Sequence, residues 1–587
     1  MQKVQQLISD HLNIWTTAEG KKKSGRGQTS ALKKKLYGIQ KLRELILGLA
    51  LSGKLIFEKD TDIPTTNVLN DIEIEINKLT KKGLLGKRKI LAPINEEEKS
   101  IKLPTNWVWT RLGNTGKIFH GDSINKDEKD TKYTNIKEGR PYIATKDVGY
   151  GREKINYKNG ISIPYNISKF KVAHKDAVLI CSEGGSAGKK IGITEFDIYF
   201  GNKLIANETF SAINPRFIFY VYQSQSFYKS FFKRMTGIIG GISMNEFLNI
   251  PIPIPPFKRQ NEIVIKIDEL MTLCDQLEQK HINSKEAHVK LVKVLLNTLT
   301  ESKDAEEFKD NWQRIADHFD ILFTTEDNVE ELKKVIFQLA VMGKIVPHDP
   351  NDQPASGLLE KIKNEKKKKI KKNVKNKKNI VKVDKDQKPF NIPKSWEWVR
   401  LSDISGYIQY GLNDSANHIN KDTLLLRITD IQKDHVNWSN VPGCSTDTKE
   451  LKNYLLCEND ILVARTGGTI GKSYLVKDLI KDSVFASYLI RIGQTNNINP
   501  KFKKIFFGSK LYWDQLYEYS KGTGQPNVSG TSLKNLLFSL PPLEEQNRIV
   551  MKVEELIVLC DKLKTFIKLA NIKQKQISDE FISLALN

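Results

Sequence analysis

At 587 residues the chain is too long for one hydrophobic core, which seldom grows past about 250–300 residues, and its 39% hydrophobic and 9% aromatic content excludes wholesale disorder. The net charge of +24 points toward a polyanion, yet residues 361–388 hold 14 Lys against Glu365, Asp384 and Asp386, so nearly half the excess lies in one stretch. Five cysteines without a C-x-x-C pair, no apolar run of about 18 residues, and an N-terminus that meets Asp10 early predict a reduced, cytoplasmic protein. No structural zinc, signal peptide or membrane span is expected.

Taken in chain order, every element occurs twice. A helical segment opens the chain, with Leu42, Leu45, Ile46, Leu49 and Ala50 at helical spacing; Leu42 to Lys54 returns as Leu332 to Lys344, and Ile8 to Leu12 returns as Ile315 to Phe319. A charged linker completes residues 1–102. Its counterpart ends at 391 and includes Lys366-Lys367-Lys368-Lys369, read as a solvated linker that could also hold phosphates non-specifically. Two mixed α/β blocks follow, 103–256 and 392–542. They open on Pro104-Thr105-Asn106-Trp107-Val108-Trp109 and Pro393-Lys394-Ser395-Trp396-Glu397-Trp398, and contain strand-like runs at Ala177–Ile180 and Ile461–Ala464. Each closes at a proline gate, Pro251 to Pro256 and Pro541-Pro542, expected to lead into a helix rather than continue a ladder.

Behind each gate runs the clearest periodicity in the chain. Ile263, Ile267, Leu270, Cys274, Leu277, His281, Ser284, His288, Leu291 and Leu295 alternate steps of four and three. Ile549, Val553, Leu556, Cys560, Leu563, Ile567, Ala570, Gln574, Ile577 and Phe581 repeat the pattern at a shift of 286. This predicts two long antiparallel coiled-coil helices, one within a central region 257–391 and one at 543–587. The polar positions His281, Ser284, His288 and Gln574 are read as fixing register. Nothing follows the second long helix, but the piece that follows the first has its match at the N-terminus. Residues 1–60 are therefore expected beside 560–587, giving a pseudo-two-fold molecule with neighbouring ends.

The opening Leu7 to Trp15, the stretch Leu36 to Ile46, Gly343-Lys344-Ile345-Val346-Pro347, the paired Pro-x-x-Trp-x-Trp lead-ins and the Pro-Pro-x-x-x-Gln exits resemble a type I restriction–modification specificity subunit over essentially the whole chain. The resemblance implies two target recognition domains, each reading half of a bipartite, asymmetric DNA site, with the two helices as spacer. It implies no cofactor on this chain. Two methyltransferase subunits using S-adenosylmethionine, and through them restriction subunits using ATP and Mg, would be the partners. The two copies agree in the helices and drift inside the blocks, as two readers of different sequence on one frame would. The alternative is a stand-alone DNA-binding or coiled-coil scaffold protein.

Candidate DNA contacts fall at equivalent places in the two blocks. Lys146 and Asp147 match Arg427, Thr429 and Asp430 after an apolar run, where Lys or Arg could meet guanine and Asp cytosine, or the Asp could cap a turn. Gly184, Gly185, Ser186 and Lys189 match Gly467, Gly468, Thr469 and Lys472, preceded in the second copy by Arg465. The spacing is not that of a phosphate-hydrolysing P-loop, because Glu183 and Thr466 stand where glycine is needed. A plain Gly-rich turn and a backbone–phosphate contact both remain open. Gln525 and Asn527 lie in a flexible segment before the second exit helix and suit adenine. Trp107, Trp109, Trp396 and Trp398 are read as core anchors. No methyltransferase, nuclease or metalloprotease motif is found, so neither a catalytic nor a metal site is expected.

Overall fold

The computed structural model describes residues 15–16, 36–56, 66–83, 85–86, 90–99, 101–136, 138–165, 167–237, 240–370, 383–419, 421–446, 451–520 and 527–586. Four helices carry the frame: α1 (Tyr37–Leu51), α2 (Phe257–Glu301), α3 (Glu326–Met342) and α4 (Leu543–Leu586). The chain divides into two compact units, Met1–Lys285 with Ala570–Asn587, and Glu286–Leu569. The division falls inside α2 and α4, so the region expected at 257–391 is shared between the units. Each unit buries a stretch of both long helices.

In unit 1 the two ends of the recognition block pair with each other, Val108–Arg111 running antiparallel to Pro251–Ile254. The first four residues of this proline gate do continue a ladder, as a short edge strand, while Pro255 and Pro256 lead into α2 as expected, and Pro541-Pro542 of the second gate lead into α4. In a two-stranded ladder each strand has an open edge, and Pro251 and Pro253 occupy alternate positions while Ile252 and Ile254 keep their N–H groups. Inside the block lies a four-stranded antiparallel sheet ordered Gly116–His120, Leu204–Thr209, Val178–Cys181, Ile191–Ile193. A second sheet pairs Arg140–Ile143 in parallel with Ile198–Phe200.

Unit 2 repeats the plan. Glu397–Arg400 pairs with Leu537–Leu540, and the main sheet runs Ile408–Tyr410, Leu489–Ile492, Ile461–Ala464, Ser473–Leu475. Leu424–Leu426 pairs in parallel with Ser483–Phe485. Both α1 and α3 end on a glycine in the left-handed region, Gly53 at φ 73 and Gly343 at φ 72. A Cβ there would stand 2.4 Å from Pro104 Cγ and 2.7 Å from Pro393 Cγ, so the repeated Gly-Lys and Pro-x-x-Trp signatures are two sides of one close contact.

The long helices also meet the same partners in each unit. Arg43 of α1 pairs with Asp275 at 2.8 Å, and Lys333 of α3 pairs with Asp561 at 2.5 Å. In unit 1 the last turns of α4, with Phe581 and Ile582, join the core that holds Cys274 and Leu277. In unit 2 the last turns of α2, with Val292, Leu296 and Leu299, join Ile549, Val553 and Cys560. Start meets end in both, an antiparallel arrangement. The described part of the N-terminal segment lies where the displaced repeat requires. Trp15 is fully buried with its ring 6.4 Å from Phe581, and the Tyr37 hydroxyl donates to the Asp579 carboxylate at 2.8 Å.

The expected seam holds as far as the polar positions and then moves on by one residue. Leu291 is 51% exposed while Val292 is buried, and Ile577 is 39% exposed while Ser578 is fully buried. A straight helix of 3.6 residues per turn drifts about 20° per heptad from a strict 3.5 repeat, and over so long a helix the buried face passes to the next position. His288 Nε2 lies 3.0 Å from the carbonyl of Leu322, in the short helix Phe319–Leu322 rather than on the other long helix, so this bond does not set the register between the two.

A buried glutamine joins each block to its long helix. Gln260 Oε1 accepts from the Asn214 N–H at 2.8 Å, and its Nε2 donates to the carbonyls of Pro255 and Ala212 at 3.0 and 3.1 Å. Gln546 Oε1 accepts from the Asn499 N–H at 2.9 Å, and its Nε2 donates to Pro541 O at 3.0 Å. The asparagines cap the helices Pro215–Gln223 and Pro500–Gly508 and donate from Nδ2 to Asn261 and Asn547. The Pro-Pro-x-x-x-Gln-Asn signature is therefore a hydrogen-bonded joint. Replacing Gln546 with Leu strands a buried N–H and a buried carbonyl, and should cost unit 2 about 2–4 kcal/mol in urea unfolding. A loss below about 0.5 kcal/mol would show that the joint is not structural.

Candidate nucleic-acid interface

Segments far apart in sequence come together in each block. In unit 1 they are the turn Thr145–Asp147, the Gly-rich turn 184–190 and the hairpin-like segment 236–242. The Gly184 N–H donates to Gly240 O at 2.7 Å and the Ile242 N–H to Ser182 O at 3.0 Å. Lys190 ties the first two together, its Nζ donating to Thr145 O at 2.8 Å while the amine lies 5.4 Å from the centre of the Tyr150 ring. In unit 2 the Val528 N–H donates to Arg465 O at 3.0 Å. Here Lys504 joins the strand at Ser473 to Asp434, donating to Ser473 O at 2.5 Å and to Asp434 Oδ1 at 2.8 Å. Burial pushes the Lys504 amine below its ordinary value. These bridging lysines escape motif reading because most of what they bind is backbone carbonyl, which leaves no mark in a sequence.

The Gly-rich turns have the same hydrogen bonds in both units. Ala187 N–H donates to Gly184 O and Gly188 N–H to Cys181 O; Ile470 N–H donates to Gly467 O and Gly471 N–H to Ala464 O. Their glycines divide into two kinds. A Cβ on Gly188 would stand 2.8 Å from Phe231, and one on Gly471 would stand 2.4 Å from Leu516, both at positive φ. These hold the turn against a helix. A Cβ on Gly184, Gly185, Gly467 or Gly468 would meet nothing within 4 Å. The open glycines expose bare backbone, and Lys189 and Lys472 stand exposed beside it. Such a surface lets a phosphate come within hydrogen-bonding reach of main-chain N–H groups.

The acidic candidates serve the fold instead. Asp147 is 5% exposed, and its Oδ2 accepts from the Ala144 N–H and the Asn159 side chain, both at 2.9 Å. Asp430 accepts from the Arg427 N–H at 2.9 Å and from that guanidinium at 3.0 and 2.8 Å. Asp147 and Asp430 thus cap their turns, the alternative left open for them in sequence, and Arg427 pairs with Asp430; all three are left out of the contacts proposed below. Lys146, Thr429 and Asn527 are exposed, Ser186 and Thr469 half-buried, and Gln525 lies outside the described residues. Trp107, Trp396 and Trp398 are buried and Trp109 half-buried, in keeping with core anchoring. Lys366, read as part of a solvated run, donates instead to Ser402 O and Asp403 O at 2.6 and 2.8 Å; the run from 371 to 382 lies outside the described residues. Among the described residues no cluster of His, Cys, Asp and Glu could hold a metal, and no helix is long and apolar enough to cross a membrane.

The model of the type I restriction modification DNA specificity domain matches residues 104–286 and 356–574. The EcoAI specificity subunit of Escherichia coli is 35% identical over the whole of both chains, and the EcoEI specificity subunit of Escherichia coli 33%, again over the whole of both. This chain belongs to the type I restriction–modification DNA specificity family. It is a specificity subunit with two recognition domains, not a stand-alone scaffold. A solved HsdS subunit from Thermoanaerobacter tengcongensis is 16% identical, with 83% of this chain and 98% of that one covered and a TM-score of 0.40.

The two kinds of glycine make separate predictions for this specificity subunit. Gly185→Ala and Gly468→Ala should melt within about 0.5 kcal/mol of the parent yet bind target duplex roughly tenfold more weakly. Gly471→Ala should lose about 2–4 kcal/mol of stability. Melting curves and fluorescence anisotropy read both. Unaltered DNA binding in the first pair would mean that the open backbone is not a contact surface.

Proposed function

We propose that this chain supplies DNA sequence recognition, and no catalysis, to a type I restriction–modification enzyme. Residues 103–256 read one half of a bipartite target and 392–542 the other. The observation that carries this reading is the twice-built loop cluster: the same backbone turns and the same joint to a long helix, with different side chains on the exposed positions. Shared backbone suits phosphates, which are alike everywhere, and divergent side chains suit base edges, which are not. Of the residues singled out in sequence, Lys146, Gly184, Gly185, Ser186 and Lys189 in one block, and Thr429, Arg465, Gly467, Gly468, Thr469, Lys472 and Asn527 in the other, remain the proposed contacts.

The partners are two methyltransferase subunits that bring S-adenosylmethionine, and restriction subunits with ATP and Mg. Support for two equivalent docking places comes from repeated exposed apolar positions on the long helices. In unit 1 Ile265 and Leu273 are 60% and 51% exposed, and in unit 2 Met551 and Leu559, their equivalents in the repeat, are 71% and 53% exposed. Apolar side chains two helical turns apart on one face are suited to a partner surface.

Exchanging residues 392–540 for the corresponding block of a relative should change one half of the methylated motif in the host and leave the other half intact. Methylome sequencing reads the result. A change in both halves, or in neither, would contradict modular reading.

A further inference from the structure

The two recognition blocks contain nine arginines, five in 103–256 and four in 392–542. Eight are engaged. Arg111 and Arg234 share Glu98, Arg140 meets Asp197, Arg152 meets Asp275 and Arg216 meets Asp268. In the second block Arg400 donates to Asn535 O and Gln387, Arg427 to Asp430, and Arg491 to Gln409 and backbone carbonyls. Arg465 is the exception: among the described residues its guanidinium has no hydrogen-bond or ion-pair partner, and its Nε is buried without one.

Arg465 is nonetheless held in place. Its guanidinium carbon lies 4.8 Å from the centre of the Tyr410 ring. Tyr410 is fixed in turn, its hydroxyl accepting from the Gly530 N–H at 2.8 Å. The Arg465 backbone is clamped on both sides, its N–H donating to Tyr488 O and its carbonyl accepting from the Val528 N–H, both at 3.0 Å. It immediately precedes the open turn at Gly467 and Gly468, and the exposed Asn527 adjoins it through Val528. A guanidinium over an aromatic face keeps its in-plane N–H groups free, and that planar fork matches the O6 and N7 acceptors of guanine in the major groove. A phosphate contact would need no such orientation.

The same register in the first block holds Ser182, which is 3% exposed and whose hydroxyl donates to Lys203 O at 3.1 Å. Nothing can reach a base from there. The geometry points to Arg465, on its Tyr410 platform, as a specificity-determining residue that reads one guanine in the half-site of the second recognition domain, a contact for which the first domain has no equivalent. This rests on the proposed role of residues 392–542 as a half-site reader and goes further by naming the residue and the base.

The test uses the full chain expressed with its methyltransferase and restriction partners, and reads the methylated motif by methylome sequencing. Arg465→Lys keeps the charge and the aliphatic stem; Arg465→Gln removes the fork. Both should relax one G·C position in one half-site, cutting discrimination there by between about 5- and 150-fold, with the other half-site unchanged as an internal control of folding. Lys472→Ala should weaken methylation at all sites alike and leave the motif intact. The proposal is overturned if the Arg465 variants leave every position as selective as before. It is equally overturned if they behave like Lys472→Ala, or if both half-sites degrade together. Failure of the underlying role looks different: the unaltered chain would then direct no methylated motif at all.

Discussion

A buried side-chain amide is the interaction on which the rest of the molecule depends. Gln260 and Gln546 are fully buried, and each ties three things at once: the proline just after the strand that closes the recognition block, the asparagine that caps a helix inside the block, and the first turn of a long helix. An amide suits this task because one group both donates and accepts, so a single residue can fix two backbone directions with no net charge to bury. Reading DNA demands that base-contacting side chains stand in defined places, and loops alone do not hold such places. Through this joint the loops inherit the stiffness of a helix more than forty residues long.

The sequence-level signals that proved legible were those that repeat or that follow a period. The duplicated order of parts and the first half of each helical seam could be read because burial imposes a fixed spacing on apolar residues. The seam misread Leu291 and Ile577 for a geometric reason, since a 4-3 pattern cannot register the slow rotation of a real helix. The N-terminal segment could be assigned to the C-terminal helix because an apolar face, once displaced in the chain, still needs the same partner. Only Pro251–Ile254 of the first proline gate departed from expectation, because a rule about ladders ignores the case in which the strand has a free edge.

The interface was legible in outline only. The Gly-rich turns stood out, but not which glycines face solvent and which pack against Phe231 or Leu516. Arg427 and Arg465 look alike as isolated letters. One is consumed by an aspartate three residues on, and the other is steadied by a tyrosine on a different strand; only the folded chain separates them. Charge was the poorest guide, since Lys190, Lys366 and Lys504 are spent on backbone carbonyls. A basic composition therefore says little about which cations are free to meet a polyanion.

The central claim is that the loop clusters around 184–190 and 465–472 are where both units meet DNA. Hydrogen–deuterium exchange on the full chain in its assembled complex, with and without a duplex carrying the methylated motif, tests it most directly. The account predicts slowed exchange at both clusters, with non-target duplex giving weaker slowing there. Protection confined to the lysine-rich stretch at 361–388, or present in one unit alone, would contradict it.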